Sequence, residues 1–145
     1  MTTELTDSAE HTTAQERAPR VLLYGTNVDT RASVLLAVGP RLKRGAPAID
    51  WVQTATHAAV LDHADAGGFD LFVLDGEAAK SGGMGLCRQL KDELFQCPPI
   101  LVLTARPQDS WLASWSLADA VVSQPFDPIE LQSVIARLLA SPPSA

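Results

Sequence analysis

Five short apolar runs recur along the chain, separated by stretches whose apolar residues fall at helical spacing. RVLLYG (20–25), IDWVQTA (49–55), FDLFVLD (69–75), PPILVLTA (98–105) and DAVVS (119–123) are too short for buried helices, and turn-forming or polar residues bound them. They read as strands. Between them, DTRASVLLAVG (29–39) sets Val34, Leu35 and Val38 on one helical face and ends at Gly39-Pro40. HAAVLDHA (57–64) is a short helix, and Leu86, Leu90 and Leu94 mark a third through LCRQLKDEL (86–94). PQDSWLASWSLA (107–118) reads as a fourth, with Pro107 at its first position. In FDPIELQSVIARLLA (126–140), Asp127 as N-cap, Pro128 at the first position and Glu130 at the third announce a fifth.

Strands alternating with helices imply parallel neighbours, because a parallel pair needs a crossover. Continuous apolar runs, rather than alternating ones, fit a sheet covered on both faces. The pattern predicts an α/β fold with a doubly wound five-stranded parallel sheet and helices on both faces. Any ligand site of such a sheet lies beyond the carboxyl ends of the strands. That rim collects Gly25-Thr26-Asn27, Asp75-Gly76-Glu77, Thr104-Ala105 and Ser123-Gln124-Pro125. Residues 1–18 and 141–145 hold few large apolar side chains and read as tails that cannot offset their ordering entropy. Residues 19–140 read as one domain, with no repeat and no long linker, and no output module is expected after it.

Composition narrows the function. No run of 18 apolar residues is present and the N-terminus has no secretory pattern, so neither membrane insertion nor export is expected. Cys87 and Cys97 belong to no ligand cluster and are expected as reduced thiols in a cytoplasmic protein. A net charge of −6 gives no footprint for nucleic acid. The densest basic stretch, PRLKRG (40–45), reads as a solvated helix end or loop.

The rim segments resemble the receiver domain of bacterial two-component response regulators, over about residues 20–140. FDLFVLD is similar to the strand that carries the phospho-accepting aspartate, here Asp75, with Gly83 where the family often keeps a glycine. LVLTA is similar to the strand ending in the switch threonine, here Thr104. QPFDPIEL resembles the family's Lys-Pro-Phe-Asp-Pro turn into the last helix. The resemblance implies the receiver or flavodoxin-like strand order 2-1-3-4-5 and a place in phosphorelay signalling.

The departures set the functional expectation. Where the family has a metal-holding acidic pair, this chain has Gly25 and Thr26; where it has a lysine, Gln124; where it has the switch aromatic, Val121. Phosphoryl transfer depends on positioning and charge neutralisation, and losing one such stabiliser costs about 3 kcal/mol. Asp75 is therefore expected as a vestigial acceptor that takes hydrogen bonds from nearby backbone N–H groups or from Thr104, with no metal and no cofactor. The expected function is that of an atypical, orphan receiver: a phosphorylation-independent, non-enzymatic protein-binding subunit of a larger assembly. The alternative is a working phospho-acceptor in which Glu77 supplies a second carboxylate for Mg²⁺.

Other signals are weaker. YGTNVDT (24–30) is similar to the phosphate loop of flavodoxins, but Asp29 brings a negative charge where that loop has glycine, which counts against a flavin. GGMG (82–85) lacks the following Lys-Ser/Thr of a phosphate loop and reads as a flexible loop, and the three histidines form no metal or base arrangement. Trp111 and Trp115, at i and i+4, share one helical face. They serve either the core or a partner, with Leu112 and Leu117 available to the core in the second case and Trp111 the more exposed of the two.

Overall fold

The computed structural model describes residues 17–78, 82–109, 111 and 115–140. Among the described residues, ten short elements run in the order β1 (Arg20–Tyr24), α1 (Val28–Val38), β2 (Asp50–Thr54), α2 (His57–Ala66), β3 (Leu71–Asp75), α3 (Gly83–Glu93), β4 (Ile100–Thr104), a 3-10 turn (Pro107–Asp109), β5 (Ala120–Ser123) and α4 (Pro128–Leu139). The five strands form one parallel sheet in the order β2-β1-β3-β4-β5, as the alternation and the resemblance predict. Each strand is a residue or more shorter than its apolar run.

The central strands are buried because helices cover both faces. Val34 and Val38 of α1 and Leu131, Ile135 and Leu138 of α4 pack with Val21, Leu23, Val73 and Leu101 on one side. Val60 and Ala64 of α2 and Leu86 and Leu90 of α3 pack with Leu22, Phe72, Leu74 and Val102 on the other. Burying a leucine or phenylalanine side chain contributes about 1.5 to 3 kcal/mol, so these two layers supply the main driving force. Polar side chains set where helices begin: Asn27 Oδ1 accepts from the Asp29 N–H at 2.7 Å, Thr56 Oγ1 from Ala59 at 3.1 Å and Asp127 Oδ1 from Ile129 at 2.9 Å.

A half-buried ion pair fixes the opposite end of the sheet. Lys91 Nζ, on a side chain only 8% exposed, donates to Asp119 Oδ2 at 2.6 Å. The same oxygen accepts from the Ile100 N–H at 2.7 Å, while the Asp119 N–H donates to the Ile100 carbonyl at 2.9 Å. One carboxylate thus ties α3 to the starts of β4 and β5.

Two local expectations need correction. GGMG is not a flexible loop: Gly82 is the N-cap of α3, and Gly83 to Gly85 belong to its first turn. The segment from Pro107 opens as a 3-10 turn, not as an α-helix; Trp111 and Trp115 have helical backbone, while Ser110 and 112–114 lie outside the described residues, as do 1–16 and 141–145.

Gly83 explains the choice of residue at the start of α3. A Cβ there would lie 2.5 Å from the carbonyl oxygen of Asp75, whereas a Cβ at Gly85 would meet nothing within 4 Å. Gly83→Ala is therefore expected to lower stability to chemical denaturation by about 2 kcal/mol or more. Gly85→Ala, which removes only a helix-weakening glycine, should raise it by about 0.5 to 1 kcal/mol.

Candidate functional site

Asp75 ends β3 at the carboxyl rim of the sheet and is 5% exposed. Its Oδ1 accepts the Glu77 N–H at 2.9 Å, and its carbonyl accepts the Ala78 N–H at 3.2 Å, closing a tight turn. Burial is the largest influence on the carboxyl group and pushes its pKa up; the Glu77 N–H pulls it down, and the Glu77 charge pushes it up again. No cation is among these influences.

The neighbours of Asp75 explain why. Gly25, buried at the end of β1, is anchored by its N–H to the Thr54 carbonyl at 3.1 Å. A Cβ at Gly25 would lie 3.5 Å from Asp75 Cβ and 3.6 Å from Asp75 Oδ2, in ordinary contact. A longer side chain at residue 25 would start beside the carboxylate, and glycine supplies nothing there. Thr26 is exposed. Glu77 is exposed as well, and reaches Asp75 through its backbone rather than its carboxylate.

Thr104 ends β4 and is fully buried, but its hydroxyl pairs with the Ser123 hydroxyl, Oγ1 to Oγ 2.8 Å, across a β4–β5 register that sets the two residues side by side. In the β3–β4 register Asp75 faces Leu103. The expected hydrogen bond from Thr104 to Asp75 is replaced by the one to Ser123; the backbone donor expected for Asp75 is that of Glu77. Val121 pairs with Val102 and packs half-buried beside the layer under α2 and α3. The Gln124 N–H donates to the Thr104 carbonyl at 2.8 Å. Gln124 itself lines a cleft of about 360 Å³ with Asp29, Thr30, Ser33 and Phe126, and Asp75 is not part of that lining.

Sequence reasoning placed Ser123 on the rim but missed its pairing, and it missed Arg31 and Arg88 altogether. Ser123 holds the Thr104 hydroxyl. Arg31, one turn into α1, donates from Nη1 to the Gly25 carbonyl and from Nε to Gln53 Oε1 at 3.2 Å, so its guanidinium is turned to the β1 and β2 ends. Arg88 of α3 donates to the Trp115 carbonyl at 2.9 Å, and its guanidinium carbon lies 5.3 Å from the Trp115 ring centroid. None leaves a sequence signal, because each partner lies at least six residues away and is brought close only by the fold.

Trp111 and Trp115 are 65% and 55% exposed. Leu117 does not serve the core: it is 49% exposed, at a left-handed φ of 68°, and the buried residue of that turn is Ser116. Leu112 lies outside the described residues. Ser116 hydrogen-bonds Cys87, a free and buried thiol that burial pushes up to about 11; free Cys97 is likewise buried and pushed up to about 11.

The donor set at the rim does not fit Mg²⁺, which takes near-octahedral oxygen ligands and is usually held by one or two carboxylates plus phosphate and water. Asp75 has no carboxylate beside it at residue 25 or 26, one of its oxygens already accepts a backbone N–H, and no three His, Cys, Asp or Glu groups come together among the described residues.

Fold and rim together define a receiver-type domain. No family model matches the chain. An uncharacterised response regulatory protein of Mycobacterium tuberculosis, found in two strains, is 53% identical over 125 residues, which covers 86% of this chain and 94% of the relative. The chain belongs to the response-regulator receiver family. Among solved structures, the receiver domain of a Francisella response regulator superposes with a TM-score of 0.68 at 19% identity, over 83% of this chain and 96% of that one. The response regulator TrrA of Thermotoga maritima, solved in complex with Mg²⁺ and BeF, gives a TM-score of 0.68 at 22% identity, over 83% and 98%. At these identities the likeness is one of fold.

Burying Asp75 has a measurable sign. Its folded pKa is raised, so its share of stability is full below the unfolded value and is lost as pH rises through the folded value. Asp75→Asn keeps the acceptor for Glu77 and removes the charge. It should raise stability near pH 7 by on the order of 1 kcal/mol, and the gain should shrink in thermal melts as the pH falls through the folded pKa and vanish below the unfolded value.

Proposed function

We propose that this receiver domain acts as a phosphorylation-independent protein-binding module, a regulatory or accessory subunit of a larger assembly, and catalyses no reaction of its own. The observation that carries the reading is the state of Asp75: a buried carboxylate with one backbone donor, no carboxylate at residue 25 or 26, and no cation among the groups that shift it. Phosphorylation needs charge neutralised as the phosphoryl group arrives, and neither Gln124 nor Gly25 brings a charge to do it. Thr104, the residue placed to respond, is tied to Ser123.

Without that chemistry, the fold contributes shape. The surface suited to it lies around Trp111 and Trp115, since large aromatics dominate binding hot spots. Arg88 fixes the Trp115 backbone and stacks on its ring, so this part of the face is preorganised, which lowers the entropy lost on binding. Trp111, the more exposed, is the anchor. Two buried free thiols fit a reducing compartment such as the cytoplasm.

Affinity capture from native extract tests this. Wild type and Asp75→Asn should retain the same partner to the same extent. Trp111→Ala should reduce recovery about tenfold, because truncating an aromatic hot spot costs about 1 to 2 kcal/mol or more. Loss of the partner with Asp75→Asn would contradict the reading.

A further inference from the structure

The end of the sheet away from Asp75 holds a groove that the reading above does not use. It lies between the segment entering β1, the loop from α1 to β2, and the last turn of α4, with a volume of about 360 Å³. Leu42, Pro47, Ala136 and Leu139 form its apolar lining, and Arg17 and Lys43 its charged edges.

The groove is built rather than incidental. Its loop is closed by the Ile49 N–H on the Pro40 carbonyl at 2.8 Å, the Ala46 N–H on the Lys43 carbonyl at 3.1 Å and Arg41 Nη1 on the Ala46 carbonyl at 2.9 Å. Gly45 makes the turn at a φ of 84°. The opposite wall is fixed by Arg17 Nη2 on Asp70 Oδ1 at 2.9 Å, whose second oxygen accepts the Arg20 N–H at 2.8 Å.

Its charge is at odds with the rest of the molecule. In a chain of net charge −6, three of the 11 Lys and Arg residues fall within 41–44. They are not needed to cap α1: Gln132 Nε2 donates to the Ala37 and Val38 carbonyls at 3.0 and 3.3 Å, and the Gly39 N–H to Leu35 at 2.9 Å. Among the described residues no carboxylate pairs with Arg41, Lys43 or Arg44. The nearby carboxylates are engaged, Asp70 by Arg17 and Asp50 by Arg20 at 3.5 Å.

We propose that this groove docks an acidic peptide segment of a partner protein, which seats an aliphatic side chain between Leu42, Pro47 and Leu139 and sets flanking carboxylates against Lys43 and Arg44. Apolar lining supplies the burial, and the cations supply register and encounter rate against the repulsion of the whole molecule. The site is separate from Trp111, so the two readings fail independently.

The probe is a short fluorescein-labelled peptide of glutamates and leucines, followed by anisotropy against the full chain. Saturable binding is expected, weakened roughly tenfold in Lys43→Glu/Arg44→Glu and by added salt, and abolished in Ala46→Arg, which fills the groove even though it adds a positive charge. Trp111→Ala and Asp75→Asn should bind as wild type does. Both altered surfaces are exposed or half-buried, and circular dichroism checks that each variant is folded. No saturable binding, unchanged affinity in the double variant or in Ala46→Arg, or equal binding of a lysine–leucine peptide would each overturn the proposal. So would tighter binding of single-stranded DNA or anionic vesicles than of the acidic peptide.

Discussion

A carboxylate buried without a counter-charge is the constraint on which this molecule turns. Taking an ionised group out of water costs several kcal/mol unless it is paired or neutralised. Asp75 receives one backbone hydrogen bond and the repulsion of Glu77, and its pKa rises accordingly. A rim built for phosphoryl chemistry would surround the same atom with charges of both signs. Here glycine and threonine follow the first strand, and the turn before the last helix offers an amide.

Thr104 and Ser123 satisfy each other across adjacent strands, so the hydroxyl at the edge of β4 has a partner that does not depend on what happens at Asp75. Helix α3 links the remaining parts. Its first residue lies against the Asp75 carbonyl through Gly83, its middle fixes Trp115 through Arg88, and its last turn anchors β4 and β5 through Lys91 and Asp119. Three contacts along one helix thus join the Asp75 turn, the Trp115 turn and the starts of β4 and β5.

Much of this was legible in the sequence, for identifiable reasons. The strands announced themselves because a sheet covered on both faces needs continuous apolar runs, and strand ends then place Asp75, Thr104 and Gln124 on one rim. What escaped were pairings between distant segments. Ser123 is an ordinary polar residue until register sets it opposite Thr104, and Arg88 is a solvated helix cation until the turn at Trp115 comes over it. GGMG misled because glycine is a poor helix former; the close approach of α3 to the Asp75 carbonyl outweighs that propensity at Gly83. Leu117 misled because its left-handed backbone turns an apolar side chain outward.

The most direct measurement of the central claim is the intact mass of the protein after incubation with acetyl phosphate and Mg²⁺. Two chains would be compared, the wild type and Gly25→Asp/Thr26→Asp/Gln124→Lys. The account predicts no phosphoryl adduct on the wild type and an adduct on the triple variant that disappears when Asp75→Asn is added, because a side chain at residue 25 starts beside the carboxylate in ordinary contact and the variant supplies the charges that are missing. A Mg²⁺-dependent adduct on Asp75 of the wild type would contradict it.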